Sequence, residues 1–382
     1  MRNAAAFSKN WSWRYRLTSP WLGDPWLLGA VGLLLLLGLM MALNTTYFLS
    51  LNKTGAPFYL FERQLLSVLL GLAAMAILAS LPTEWLKQAS FAVFVCGILL
   101  LIAVWVPGLG VVRGGARRWL KFGPLTIEPA ELTKLGWVFF LAERLSRYQY
   151  RLNDFRRGLM PLLAVFALLA LITLEQPDFG ATVVLALILL AMCFAAGVPV
   201  AHLGAAGGAL SLFMTYQAFH KAYRARRLLG FAHPWETARS AGFQLVQSLI
   251  AIGAGGKWGV GLGAGRQKMF YLPQAHSDFV FAVVGEELGL AGVLLVVSLF
   301  GTITVRGMRL ARRHNDSFAS LLATGMTSLL TFQAVINMAV VTGLLPTKGL
   351  ALPFLSYGGT AMVGSLAALG VLLNLSRQVE AR

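Results

Sequence analysis

From Trp26 to Leu49 the chain runs roughly 24 positions without a charged side chain, long enough at 1.5 Å per residue to cross the ~30 Å hydrocarbon of a bilayer. Comparable apolar runs recur near 63–82, 89–106, 132–145, 159–175, 180–197, 199–217, 279–305, 319–343 and 355–375. Backbone amides and carbonyls have no water to bond inside hydrocarbon, so runs of this length must be helical. The sequence therefore predicts an all-α integral membrane protein of about ten transmembrane helices. The fourth run is the shortest and opens with Glu131 and Lys134. Composition agrees: 57% of the residues are hydrophobic and only 12% charged, against about 25% in soluble domains. The first run exceeds the ~7–15 residues of a signal-peptide core and no small-x-small cleavage pattern comes after it, so it reads as an uncleaved helix. Trp11, Trp13, Trp21 and Trp26, mixed with Arg14 and Arg16, fit an interfacial anchor ahead of it.

An even number of spans puts both termini on one side. The connections on that side hold 16 lysines and arginines, the short opposite ones only Lys53, Arg63 and Lys348. The positive-inside rule then places both termini in the cytoplasm. The chain reads as one membrane domain, 1–382, with a cytoplasmic tail over 1–25 and a large external loop over 218–278 between the seventh and eighth runs. The net charge of +17 is spread between apolar runs, which argues against nucleic acid and for anionic lipid. The regions 107–134 and 218–278 hold external basic residues against the bias. Long loops tolerate such charge, and a basic surface also suits an anionic ligand such as a pyrophosphate. Cys96 and Cys193 lie far apart in apolar runs and read as lipid-facing or packing residues, not as a disulfide or a metal or redox site.

Four constellations carry ionisable groups. In the first, Arg113 to Lys121, which includes Arg118 and Trp119, precedes Glu128-Pro-Ala-Glu131-Leu-Thr-Lys134. Pro129 suits a first helical turn and sets Glu131 and Lys134 on one face as an ion pair, serving either charge neutralisation or a site. The second, Glu175-Gln-Pro-Asp178-Phe-Gly180, is a tight turn in which Asp178 caps the next helix. The third is the external loop, with Arg224, Arg226 and Arg227 and then a glycine-rich section from Gly253 that ends on Gln267 and Lys268. It has no Walker pattern, and suits a flexible lid or a re-entrant loop. In the fourth, Asp278 stands just outside a long apolar run, where capping alone would explain it; it is also one of few acids facing the external basic surface, which makes it the best-placed general base. Glu286 and Glu287 lie about 12 Å further along and require partners inside the bundle. The five histidines show no zinc-ligand spacing, and no G-x-S-x-G elbow occurs.

These motifs resemble those of the SEDS family, the shape, elongation, division and sporulation polymerases. The similarity spans nearly the whole chain, and the order of the motifs matches. It is carried by Ala116–Trp119, Glu128–Lys134, Gln176–Gly180, Gln244–Ile250, Gln267–Pro273, His276–Phe279, Gly285–Gly289 and Leu345–Gly359. The last run is closer to the division member than to the elongation member. Departures at Gln274, Ser277 and Asn44–Tyr47 bear on subtype and leave Asp278 untouched.

The resemblance implies ten spans, cytoplasmic termini and a peptidoglycan glycosyltransferase of the bacterial inner membrane, at the division septum. It implies lipid II and the growing lipid-linked glycan as substrates, joined by an inverting β-1,4 transfer. It further implies a class B penicillin-binding protein transpeptidase and other divisome proteins as partners. In that reading Asp278 takes the acceptor proton. Arg118, Lys134 and Lys348 offset charge on the leaving pyrophosphate, Glu131 holds Lys134, Trp119 packs on sugar or lipid, and Gln267 and Lys268 contact substrate. The scheme allows a divalent cation, Mg²⁺ or Mn²⁺, and needs no organic cofactor. The rival readings are a lipid II flippase, a small-solute transporter and a division scaffold.

Overall fold

The computed structural model describes residues 23–380 apart from 114, 124, 221 and 270. The expected anchor residues Trp11 to Trp21, and most of the tail, lie outside these residues. Ten helices occupy the ten expected runs: α1 (Pro25–Thr54), α2 (Tyr59–Ser80), α3 (Thr83–Ala103), α4 (Pro129–Arg147), α5 (Met160–Glu175), α6 (Phe179–Ala195) and α7 (Val200–His220), then α10 (Val280–Arg313), α11 (Ser317–Val341) and α12 (Gly359–Glu380). The expected loop over 218–278 is not open chain, for it holds α8 (Ala222–Ala232) and α9 (Phe243–Gly255). Among the described residues seven helices are long and apolar enough to cross a membrane: α1, α2, α3, the 155–175 helix that contains α5, α10, α11 and α12.

The buried centre consists of α11 and α12, with α4 and α6 against them, while α1, α2 and α3 present much of their surface outwards. This explains how α4, 19 residues long and so longer than its apolar run, can carry charge. It is enclosed by protein on most sides, where polar groups find partners that lipid cannot give. Pro129 starts α4 at its first helical position, as the sequence predicts. Trp137 of α4 is fully buried, stacks near Phe140, and donates its ring N–H to the Leu185 carbonyl of α6 at 3.2 Å.

Two features break the helical pattern. The segment before α4 folds as an antiparallel meander of β1 (Gly110–Arg113), β2 (Ala116–Phe122) and β3 (Leu125–Ile127), with Val111 opposite Trp119 and Leu120 opposite Ile127. Within α10, Gly289 takes φ 63°, a left-handed value that favours glycine. There the glycine-rich segment inserts its backbone: Val260 and Gly261 N–H donate to the carbonyls of Glu286 and Glu287 at 3.0 and 3.1 Å. Leu290 and Ala291 N–H donate to those of Gly256 and Lys257 at 2.9 and 3.2 Å. The four groups freed by the break are thus satisfied by one loop.

Candidate active site

Asp278 does not cap α10. The N-cap position is Phe279, no side chain caps the helix, and the expectation of a capping aspartate is corrected. The backbone turns through Gln274, whose carbonyl accepts from both Ser277 and Phe279 N–H, and this carries Asp278 off the helix axis. Its carboxylate lies beside Gly349: a β-carbon there would stand 2.8 Å from Oδ2. Among the described residues no hydrogen bond or ion pair reaches this carboxylate within bonding distance. Burial pushes its pKa up to about 6, while Arg227 and Arg118 pull it down and Asp178 raises it.

Next to this point a cavity of about 400 Å³ runs between α6 and α7. Val183, Leu187 and Leu190 of α6 and Leu210 and Met214 of α7 line its apolar length. Arg118, Asp178, Arg224, Arg227 and Lys348 line its polar end, and Gly349 separates that end from Asp278. Arg118 reaches from β2 to the Gln176–Pro177 turn, donating to the Gln176 carbonyl at 2.9 Å and to that of Pro177. Asp178 caps α6 by accepting from Ala181 N–H at 3.0 Å, as the sequence predicts. Arg224 and Arg227, three apart on α8, face the cavity together; Arg227 donates to the Thr347 carbonyl at 3.4 Å. Lys348 Nζ sits 3.9 Å from the Phe179 ring centroid. Burial lowers its pKa to about 8, with Arg224 and Arg227 adding to the fall and Asp178 opposing it.

The remaining candidates stand behind or beside this cavity. Lys134 is buried and bonds Glu131 Oε1 at 2.7 Å, while Gln333 of α11 donates to Glu131 Oε2 at 3.2 Å. Glu128 stands within electrostatic range of this pair and of Asp178 and Arg118. Burial, then Glu131 and Asp178, push its pKa up to about 8 against Lys134 and Arg118. Trp119 is half-buried on β2 and does not line the cavity.

Gln267 and Lys268, expected to contact substrate, also lie outside the lining of this cavity. Lys268 Nζ is consumed by Glu287 Oε1 at 2.8 Å, the Gly263 carbonyl at 2.6 Å and Asn44 Oδ1 of α1. The backbone N–H of Gln267 and of Arg266 goes to Glu286. The expected pairing of Glu286 and Glu287 inside the bundle is found. Among the described residues no group of three or more His, Cys, Asp or Glu side chains gathers as a metal site.

A family model described as cell cycle protein, covering FtsW, RodA and SpoVE, matches residues 25–381. The chain belongs to this family. Over 343 residues it is 39% identical to the probable peptidoglycan glycosyltransferase FtsW of Geobacter sp. (strain M18), covering 90% of this chain and 94% of that one. Over 351 residues it is 40% identical to stage V sporulation protein E of Bacillus subtilis (strain 168), covering 90% and 94%. A solved chain from a study of polymerization and crosslinking by a peptidoglycan synthase complex superposes with a TM-score of 0.75 at 30% identity, covering 95% of this chain and all of that one.

Within this FtsW, RodA and SpoVE fold, Arg118, Lys348 and Asp278 come together from β2, the 346–350 segment and the approach to α10. Sequence reasoning passed over Arg224, Asp178 and Gly349 as components of the same site. The i,i+3 spacing of Arg224 and Arg227 on a short amphipathic helix was the available signal for α8. Nothing local marks Gly349.

Proposed function

We propose that this chain is a peptidoglycan glycosyltransferase that polymerises lipid II, with Asp278 as the general base. The name carried by its FtsW relatives supports the reaction class. The observation that carries the site is a carboxylate without an ion-pair partner among the described residues, beside a cavity that has a cationic end and an apolar length. The apolar groove between α6 and α7 takes a polyprenyl tail, and the arginines and Lys348 take the pyrophosphate.

In the reaction Asp278 accepts the proton of the acceptor N-acetylglucosamine hydroxyl. That oxygen forms a bond to the anomeric carbon of the donor from the face opposite the pyrophosphate. The carbon–oxygen bond to the lipid pyrophosphate breaks, so the centre inverts and the electron pair leaves on phosphate. A base with a pKa near 6 is ionised at neutral pH yet still basic enough to work, and fixed cations stabilise the departing charge. A divalent cation would be held chiefly by pyrophosphate oxygens, with Asp178 in the cavity lining and Asp278 beyond Gly349 as the protein carboxylates at hand, and would supply further charge neutralisation. Lys134 acts from behind, through the field it shares with Glu128 and Glu131.

The synthase complex to which the superposed structure belongs supports a crosslinking partner here too, a class B penicillin-binding protein, with other division proteins at the septum of the inner membrane. The test is glycan polymerisation from labelled lipid II by purified protein, alone and with its transpeptidase, comparing wild type with Asp278→Asn. Polymer from the wild type and none from the variant supports the assignment. Equal polymer from both removes Asp278 as the base, and lipid II translocation without polymer removes the enzyme reading.

A further inference from the structure

The three carbonyls leading to α10 are each held by a donor from the last third of the chain. His276 O accepts from Tyr357 N–H at 2.9 Å, and Ser277 O from Ser356 Oγ at 2.6 Å. Asp278 O accepts from Asn337 Nδ2 at 2.8 Å. The same Nδ2 donates its other hydrogen to Leu350 O at 2.6 Å. Asn337 is 1% exposed, near the end of α11, and its Oδ1 is buried without a partner among the described residues. Turning the amide over would set its oxygen against two carbonyl oxygens, so its orientation is fixed by its neighbours. An unpaired buried acceptor costs free energy that a leucine of similar size would not incur. The two ties are what the amide offers in return.

We propose that Asn337 is a positioning residue that joins the backbone of Asp278 to the 346–350 segment, and so sets the carboxylate against Gly349. The inference rests on Asp278 being the base. Leu350 follows Gly349 directly, and Gly349 is the residue on which the carboxylate lies. With both donors of one rigid amide engaged, the base and the 346–350 segment cannot drift apart without breaking a buried hydrogen bond. Ser356 acts alongside, because its hydroxyl also accepts from Leu352 N–H at 2.7 Å and ties Ser277 to that segment. One turn earlier on α11, Gln333 holds Glu131. A single helix therefore bonds both the Lys134 pair and the base.

The experiment is steady-state polymerisation of lipid II by full-length protein with its transpeptidase, for Asn337→Leu and Ser356→Ala, across pH. Asn337→Leu is expected to lower kcat about 10²-fold, the scale of an ångström of misplacement, while leaving KM within about twofold. Arg227 on α8, Arg118 on β2 and Asp178 ahead of α6 still face the carboxylate in both variants. A loosened carboxylate regains water, so the acid limb moves to lower pH. Ser356→Ala shifts kcat and the limb in the same direction by less. Wild-type kcat and acid limb in folded Asn337→Leu overturn the inference, as does lost thermal stability with an unchanged pH profile. Should Asn337→Leu not fold, a wild-type profile in Ser356→Ala overturns it and a shifted one supports it. Asp278→Asn is run in parallel: if it polymerises normally the base assignment falls first. If it is inactive while Asn337→Leu is normal, only the positioning role falls.

Discussion

Asp278 and Glu287 lie nine residues apart on either side of the start of α10, and the protein treats their carboxylates in opposite ways. Glu287 is fully buried and saturated, with Lys268 at 2.8 Å, Gly263 N–H at 3.0 Å and the amide of Asn44 at 2.5 Å. Those contacts join α1, the glycine-rich segment and α10. Among the described residues Asp278 has cations in range and none in contact, and its backbone carries the hydrogen bonds instead. A charge that is fully paired has its energy committed to one geometry, whereas a charge held near others but left open can exchange a proton and meet a ligand. The difference separates architecture from chemistry within one helix start.

The strongest way to break this contrast is at its two carboxylates. Asp278→Asn is expected to cost about 10²–10⁴-fold in polymerisation rate with thermal stability unchanged or raised, since general-base contributions have that size. A rate near wild type would place the base elsewhere. Lys268→Met leaves Glu287 buried and unpaired, at a cost of about 3–5 kcal/mol in stability, and pairing it with Glu287→Leu recovers much of the loss. Thermal unfolding in detergent reads both, and a stable single variant would show the pair to be dispensable. Gly349→Ala puts a carbon 2.8 Å from Asp278 Oδ2. The end of that side chain can move aside, so stability stays within about 0.5 kcal/mol while kcat falls about tenfold as the base is displaced. The smallest effect is on the pH profile. Activity needs Asp278 ionised and Lys348 charged, so kcat/KM falls below about 6 and above about 8. Lys348→Arg keeps its charge and should remove the alkaline limb alone.

Whatever depends on local pattern was legible in the sequence. Unbroken apolar runs located ten helices, Pro129 located the start of α4, and i,i+3 spacing paired Glu131 with Lys134. The short fourth run proved central because its partners, not its own hydropathy, decide where it lies. The meander over 110–127 was missed because β1 and β3 are only four and three residues long, and β2 mixes Arg117, Arg118 and Lys121 with apolar residues without regular alternation. Asp278 looked like a cap because composition cannot tell one turn of backbone from another. The ion pair of Lys268 with Glu287 was not legible because the two stand 19 residues apart with no spacing rule to link them. The cavity joins β2, α6, α7, α8 and the 346–350 segment, and no spacing rule links residues that far apart along the chain.

The break in α10 also sets how its exposure to solvent would be timed. The amides of Val260, Gly261, Leu290 and Ala291 share one reciprocal set of bonds between loop and helix. In hydrogen–deuterium exchange they form one protection unit: all four should exchange together when the loop lifts, ahead of the flanking turns of α10. Leu290 and Ala291 thus report from inside a transmembrane helix on the motion of a segment more than two dozen residues upstream in the sequence.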